Sequence, residues 1–145
     1  MIYCGYQGCG KTTYCKEHSN CVDLDSSNVK KDKCWFIHYC ETAKRLSESG
    51  QKVFISAHRQ VIDYLLENEI KFEILAPAET KMAWRTRLEL RYHQHQTLPN
   101  LKAIADFDQN YEKDMEWYKY CEEFLGIKVH WIKAKVRTNL EQEIN

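Results

Sequence analysis

The chain has 145 residues, 21 Lys+Arg against 21 Asp+Glu, 43% hydrophobic and 12% aromatic residues, and only 5 Gly and 2 Pro. That length and apolar share suit one compact domain over residues 1–145, large enough to stay folded without a metal or disulfide staple, and they exclude a disordered chain. Zero formal net charge and the lack of a Lys/Arg run argue against a nucleic-acid partner, and no apolar stretch approaches bilayer length.

Ile2 to Cys4 is a short apolar run ending at Gly5, followed by a Gly-rich turn and the polar, helix-competent stretch Lys11 to His18. The pattern predicts strand, loop, helix. Because the first residues enter a Gly-containing turn at once, no signal peptide is expected. Cys21 to Leu24 predicts a second strand, whose end carries Asp25, Ser26 and Ser27. Phe36, Tyr39, Ala43 and Leu46 recur at helical spacing and predict a helix ending at Gly50. Val53, Phe54 and Ile55 form a continuous apolar run, as in a strand covered on both faces, and it ends at Ser56. Val61, Ile62 and Leu65 give another helical stripe, and Phe72, Ile74 and Leu75 a fourth strand closed by Pro77.

The segment from Ala78 to Thr97 is helical by propensity but strongly polar, which predicts an excursion from the core, with Pro99 breaking it from the next helix. From Leu101 to Leu125, Ile104, Phe107, Tyr111, Met115, Tyr118 and Leu125 mark a long amphipathic helix ended by Gly126. Val129, Trp131 and Ile132 predict a last strand, and Thr138 to Asn145 a short terminal helix. Alternating strands and helices imply an α/β fold, with a parallel sheet, right-handed crossovers and helices on both faces.

Seven Cys, at positions 4, 9, 15, 21, 34, 40 and 121, are an odd set without a CxxC pair, so a zinc site has little support. They read as small hydrophobes with reduced thiols, which implies a cytoplasmic setting.

The most informative segment is Gly5-Tyr6-Gln7-Gly8-Cys9-Gly10-Lys11-Thr12, which satisfies G-x-x-x-x-G-K-[ST] between a predicted strand and helix. Glycines let successive backbone N–H groups point into one concavity, where a polyphosphate is stabilised. Lys11 is expected to reach the β- and γ-phosphates, and Thr12 to place its hydroxyl on Mg²⁺, with Thr13 the second choice. Gly8, Cys9 and Gly10 complete the loop, and its thiol is read as incidental.

Ligands in open parallel sheets bind beyond the carboxyl ends of the strands. Asp25 there is read either as a magnesium-shell or proton-accepting residue, or as a turn residue. His58 and Arg59 begin a helix, where a cation opposes the dipole, so they are read as acceptor-phosphate contacts or as a solvated pair. Arg85, Arg87 and Arg91 are half of the six Arg in the chain, packed into seven residues. They are read as a lid over about residues 78–99, with Arg85 on the nucleotide and Arg87 and Arg91 supplying transition-state charge, or as a solvated helix face.

With these residues assembled, the chain resembles small P-loop kinases of the nucleoside monophosphate kinase type, and more narrowly the compact nucleotide-kinase-like ATP-binding proteins encoded by bacteriophages. The resemblance rests on Gly5 to Thr13, Asp23 to Ser27, Ile55 to His58 with the helix after it, Pro77, and Trp84 with its following arginines. It implies a three-layer P-loop NTPase fold with a five-stranded sheet in the order 2-3-1-4-5. It also implies ATP and Mg²⁺ at the loop, a small nucleotide or nucleoside acceptor over strands two and three, an Arg-bearing lid, and the host cytoplasm as location if the chain is virus-encoded. Two departures stand out: there is no long insertion after strand two, and strand three ends in Ser56 where a Walker-B-type Asp would be expected, leaving Asp25 to serve. The competing readings are a nucleotide-binding regulatory protein that has lost turnover and a nucleic-acid-dependent ATPase.

Overall fold

The computed structural model describes residues 1–26, 29–78 and 80–133. Its elements run in the order β1 (Ile2–Gly5), α1 (Lys11–Glu17), β2 (Cys21–Asp23), α2 (Trp35–Glu48), β3 (Lys52–Ser56), α3 (Arg59–Glu67), β4 (Phe72–Pro77), α4 (Lys81–Gln94), α5 (Leu98–Phe124) and β5 (Val129–Ile132). The strands form one sheet in the order β2-β3-β1-β4-β5, every pair parallel. β1 lies at the centre, with Ile2 opposite Val53 of β3 and Phe72 of β4, so its carboxyl end at Gly5 opens onto the middle of the sheet's upper edge. The terminal helix expected over Thr138 to Asn145 lies outside the described residues. Among the described residues, no helix is long and apolar enough to cross a membrane.

Continuous apolar runs became the inner strands because both sheet faces are covered. Phe54 meets Tyr3 at 5.2 Å between ring centroids and Tyr14 of α1 at 5.3 Å. The alternate residue, Cys4, lies among Cys40 of α2 and Cys121 of α5 on the other face. Right-handed crossovers account for this division: the chain moves toward the β2 edge through α1 and away from it through the later helices.

Two expectations change. The arginine-bearing segment is no excursion, because Trp84 and Leu88 of α4 are fully buried in the main core. The break expected at Pro99 is present: α4 ends at Gln94 and α5 starts at Leu98, with Pro99 in its first turn, where a missing N–H costs nothing, and the Thr97 hydroxyl capping the end by accepting from Asn100 N at 3.3 Å. The thiols are not all reduced, since Cys15 and Cys21 form a disulfide, their Cα atoms 5.3 Å apart. Only 7 residues long, α1 reverses through Asn20 at φ 56°, which brings its last turn beside the start of β2. Cys4, Cys9, Cys40 and Cys121 are buried as expected, whereas Cys34 is exposed.

Asp114 of α5 is half-buried. Partial burial on α5, with Asp106 nearby, pushes the Asp114 carboxyl up to about 6, against a weaker opposing pull from Arg59. The folded state therefore holds that proton more tightly than the unfolded chain, and Asp114 costs stability above pH 6, a cost that disappears as pH falls toward 4. Asp114→Asn is expected to stabilise the fold by about 1 kcal/mol at pH 7 and by nothing at pH 4, read from urea unfolding at the two pH values.

Candidate functional site

The site grows from the turn between β1 and α1. The Tyr6 N–H extends the β1–β4 ladder to Leu75 O at 2.9 Å, and Cys9 N then donates back to Tyr6 O at 3.1 Å. Closing that turn requires left-handed backbone at Gly8, φ 84°, and at Gly10, φ 98°, which also caps α1. Lys11 folds over the loop with Nζ 3.4 Å from Gly5 O. A Cβ on Gly5 would stand 2.8 Å from the Lys11 Cδ and 2.7 Å from the Cys9 Sγ, so this glycine makes room for the lysine stem. Cys9 is buried, and burial pushes its thiol up, consistent with a filler rather than a nucleophile.

Two helices hold this loop. The Trp84 indole N–H donates to Gln7 O at 2.9 Å, the Arg87 guanidinium donates to Gly8 O, and a Cβ on Gly8 would meet the Leu88 Cδ2 at 2.9 Å. From α5, Ala103 O and the Asp106 carboxylate both accept from the Gln7 amide at 3.0 Å. The loop is thus held to α4 through its peptide carbonyls and to α5 through the Gln7 side chain.

Arg87 and Arg91, one helical turn apart, are brought to the loop together. Burial lowers the pKa of both, and each lies close enough to the Cys9 segment for charge coupling. Arg91 Nε is buried and has no hydrogen-bond partner among the described residues. Two partly desolvated guanidinium groups beside a glycine loop are an arrangement that an anion would stabilise. Arg85 is not part of it. Two positions from Arg87 it projects from the opposite side of α4, where its guanidinium forks onto Asp108 of α5 at 2.7 and 2.9 Å and also pairs with Glu89. The expected nucleotide contact from Arg85 is therefore replaced by a helix-to-helix ion pair.

At the exit of β2 the carboxylate that reaches Thr12 is Asp23, not Asp25: Thr12 Oγ1 donates to Asp23 Oδ2 at 2.7 Å. Together they present hard oxygen donors of the kind Mg²⁺ takes from a protein alongside phosphate oxygens. Thr13 is exposed on the same turn. Asp25 is exposed and lies near Lys31 and Arg91. The Tyr39 hydroxyl joins the two strand exits, donating to Leu24 O and accepting from Ser56 N at 2.9 Å. Asp23, Leu24, Asp25, Val29, His38, Tyr39 and Thr42 line a cleft of about 350 Å³ between β2 and α2.

His58 and Arg59 are occupied locally. The His58 Nδ1 is 2.7 Å from the Ser56 Oγ, while the Arg59 guanidinium lies 3.5 Å over the Trp117 ring and pairs with Asp63 at 3.4 Å. Residue type and motif spacing pointed to Lys11, Thr12, Arg87 and Arg91. They placed Asp23 at the exit of strand two but gave its role to Asp25, and they missed Tyr39; the available signal for Asp23 was that Asp23 and Asp25, two apart in extended chain, point the same way. No protein-family model matches the chain, and no curated protein matches it.

Proposed function

We propose that this protein is a P-loop phosphotransferase that binds Mg-ATP over Gly5 to Thr13 and moves the γ-phosphoryl group to a small nucleotide or nucleoside. The observation that carries this reading is the joint approach of Lys11, Arg87 and Arg91 to a turn whose Gly8 and Gly10 adopt positive φ.

In this reading the loop amides and Lys11 bind the β- and γ-phosphates, while Arg87 and Arg91 offset the charge on the phosphoryl oxygens during transfer. Thr12 and Asp23 would hold Mg²⁺, which supplies further neutralisation of phosphate charge when bound. Placement of two arginines before the nucleotide arrives lowers the reorganisation needed at the moment of transfer.

The test is incubation with γ-labelled ATP, Mg²⁺ and a panel of nucleosides and nucleoside monophosphates, in the native chain and in the Arg87→Ala, Arg91→Ala double variant. A labelled product is expected from the native chain, with kcat about 10²–10³ lower in the double variant and ATP affinity changed far less. Equal kinetics would return both arginines to structural roles. A second reading, a nucleotide-binding regulatory protein without turnover, is favoured by β3 ending in Ser56 beside β1, and retention of ATP with no product would select it.

A further inference from the structure

Two cross-links tie α1 to β2, one above the other. Thr12 and Cys15, three apart on a helix, share a face, and Cys21 and Asp23, two apart in a strand, share a face as well. Because α1 runs down from the upper edge of the sheet and β2 runs back up to it, Thr12 meets Asp23 and Cys15 meets Cys21. The upper rung is a hydrogen bond of 2.7 Å, and the lower rung is covalent.

The two elements are not equally well seated. On α1, Tyr14 is buried against Phe54, and its hydroxyl accepts from Lys52 Nζ at 2.8 Å. By contrast, β2 is an edge strand of three residues, none of them fully buried, paired with β3 along one side. The disulfide therefore lends β2 the anchoring that Tyr14 gives α1. A domain of this size does not need such a staple in order to fold. The other five cysteines are free thiols, four of them buried, whereas Cys15 and Cys21 are half-buried and flank the exposed Ser19 and Asn20. An accessible bridge in a chain of otherwise free thiols is the kind that exchanges with dithiols in solution.

Resting on the phosphotransferase reading, we propose that the Cys15–Cys21 bridge is a redox switch on the candidate Mg²⁺ site. Oxidised, it holds Asp23 against Thr12. Reduced, it releases the edge strand and weakens binding of the Mg-nucleotide. The reductant is a dithiol: one of its thiolates attacks a bridge sulfur, the S–S bond breaks, and its second thiol resolves the mixed disulfide. Two electrons and two protons pass to Cys15 and Cys21, which become thiols, and the dithiol leaves as a disulfide. The loop carbonyls of Gln7 and Gly8 are held from α4 and not from β2, so binding of metal-free nucleotide is expected to change little.

The experiment titrates a nonhydrolysable ATP analogue by calorimetry, once with Mg²⁺ and once with EDTA. The samples are the air-oxidised chain, the same chain under excess dithiothreitol, and the Cys15→Ser, Cys21→Ser double variant. Alkylation followed by intact mass reports the state of the bridge in each. With Mg²⁺, Kd is expected to rise about tenfold on reduction, while the EDTA values stay within about twofold. The double variant is expected to match the reduced chain and to ignore the dithiol. Opening the bridge is also expected to lower the nucleotide-free midpoint by about 5–10 °C. Free thiols at Cys15 and Cys21 in the oxidised sample, or an unchanged Kd with Mg²⁺ once the mass shows the bridge open, would overturn this inference and leave the phosphotransferase reading intact. An equal loss of affinity in EDTA would make the bridge a general staple and overturn the switch. Absence of analogue binding in every state would overturn both readings.

Discussion

Lys11→Ala is expected to eliminate stabilisation of the fold by nucleotide and to reduce phosphoryl transfer by at least about a thousandfold. In the native chain, ATP at about a hundred times its dissociation constant would add about 2.7 kcal/mol, or roughly 5–10 °C in midpoint for a domain of this size. Without the ammonium group, the loop amides alone would have to hold the polyphosphate. The same substitution leaves the nucleotide-free protein close to native stability, because the Lys11 contact to Gly5 O is long at 3.4 Å and only part-buried. That contrast makes the measurement specific. Differential scanning fluorimetry with and without Mg-ATP separates a binding defect from a folding defect, and an unchanged nucleotide shift in the variant would refute the phosphate-loop assignment.

Trp84→Ala has the largest expected effect on stability. Trp84 is fully buried, its ring 6.4 Å from that of Tyr6, and its N–H satisfies Gln7 O. Truncation removes a large side chain from a packed core, at about 3–5 kcal/mol, and strips a part-buried carbonyl of its donor, at about 1 kcal/mol more. Against a total of about 5–15 kcal/mol this is severe, and the midpoint is expected to drop by at least about 10 °C. Trp84→Phe keeps most of the ring volume but not the donor, so it should cost only about 1–2 kcal/mol. Urea unfolding of the two variants distinguishes packing from the hydrogen bond, and a Trp84→Ala cost under about 1 kcal/mol would show that α4 is not seated on the loop.

The sheet was legible because its strands are short apolar runs punctuated by Gly5, Ser56 and Pro77, and the strand order followed from the family resemblance. The glycine turn between β1 and α1 was legible because glycine spacing between an apolar run and a polar helical stretch is a strict local requirement. The features that sequence left hidden were long-range. Only the fold shows that Arg85 meets Asp108, 23 residues on, while Arg87 reaches back 79 residues to Gly8. Polarity along α4 suggested an excursion because two buried residues, Trp84 and Leu88, are enough to seat a helix whose other faces stay wet. Asp23 and Asp25 were both read at the end of the second strand, but only the fold shows that it is Asp23 that meets Thr12. The Cys15–Cys21 bridge depends on how tightly α1 reverses into β2, which no spacing rule specifies.

The seating of α4 on the glycine turn also bears on the reaction proposed for this protein. A cover that hinges must swing free of the turn it covers, yet here Trp84 and Arg87 are hydrogen-bonded to the peptide carbonyls of that turn, and Leu88 packs against Gly8. Loop and helix thus travel as one body, and the guanidinium groups wait in place instead of being delivered. Under the proposed phosphotransferase reading, turnover would be paced by exchange of ligands through the mouth between β2 and α2, and viscogens that slow large hinge motions are expected to leave the chemical step itself untouched.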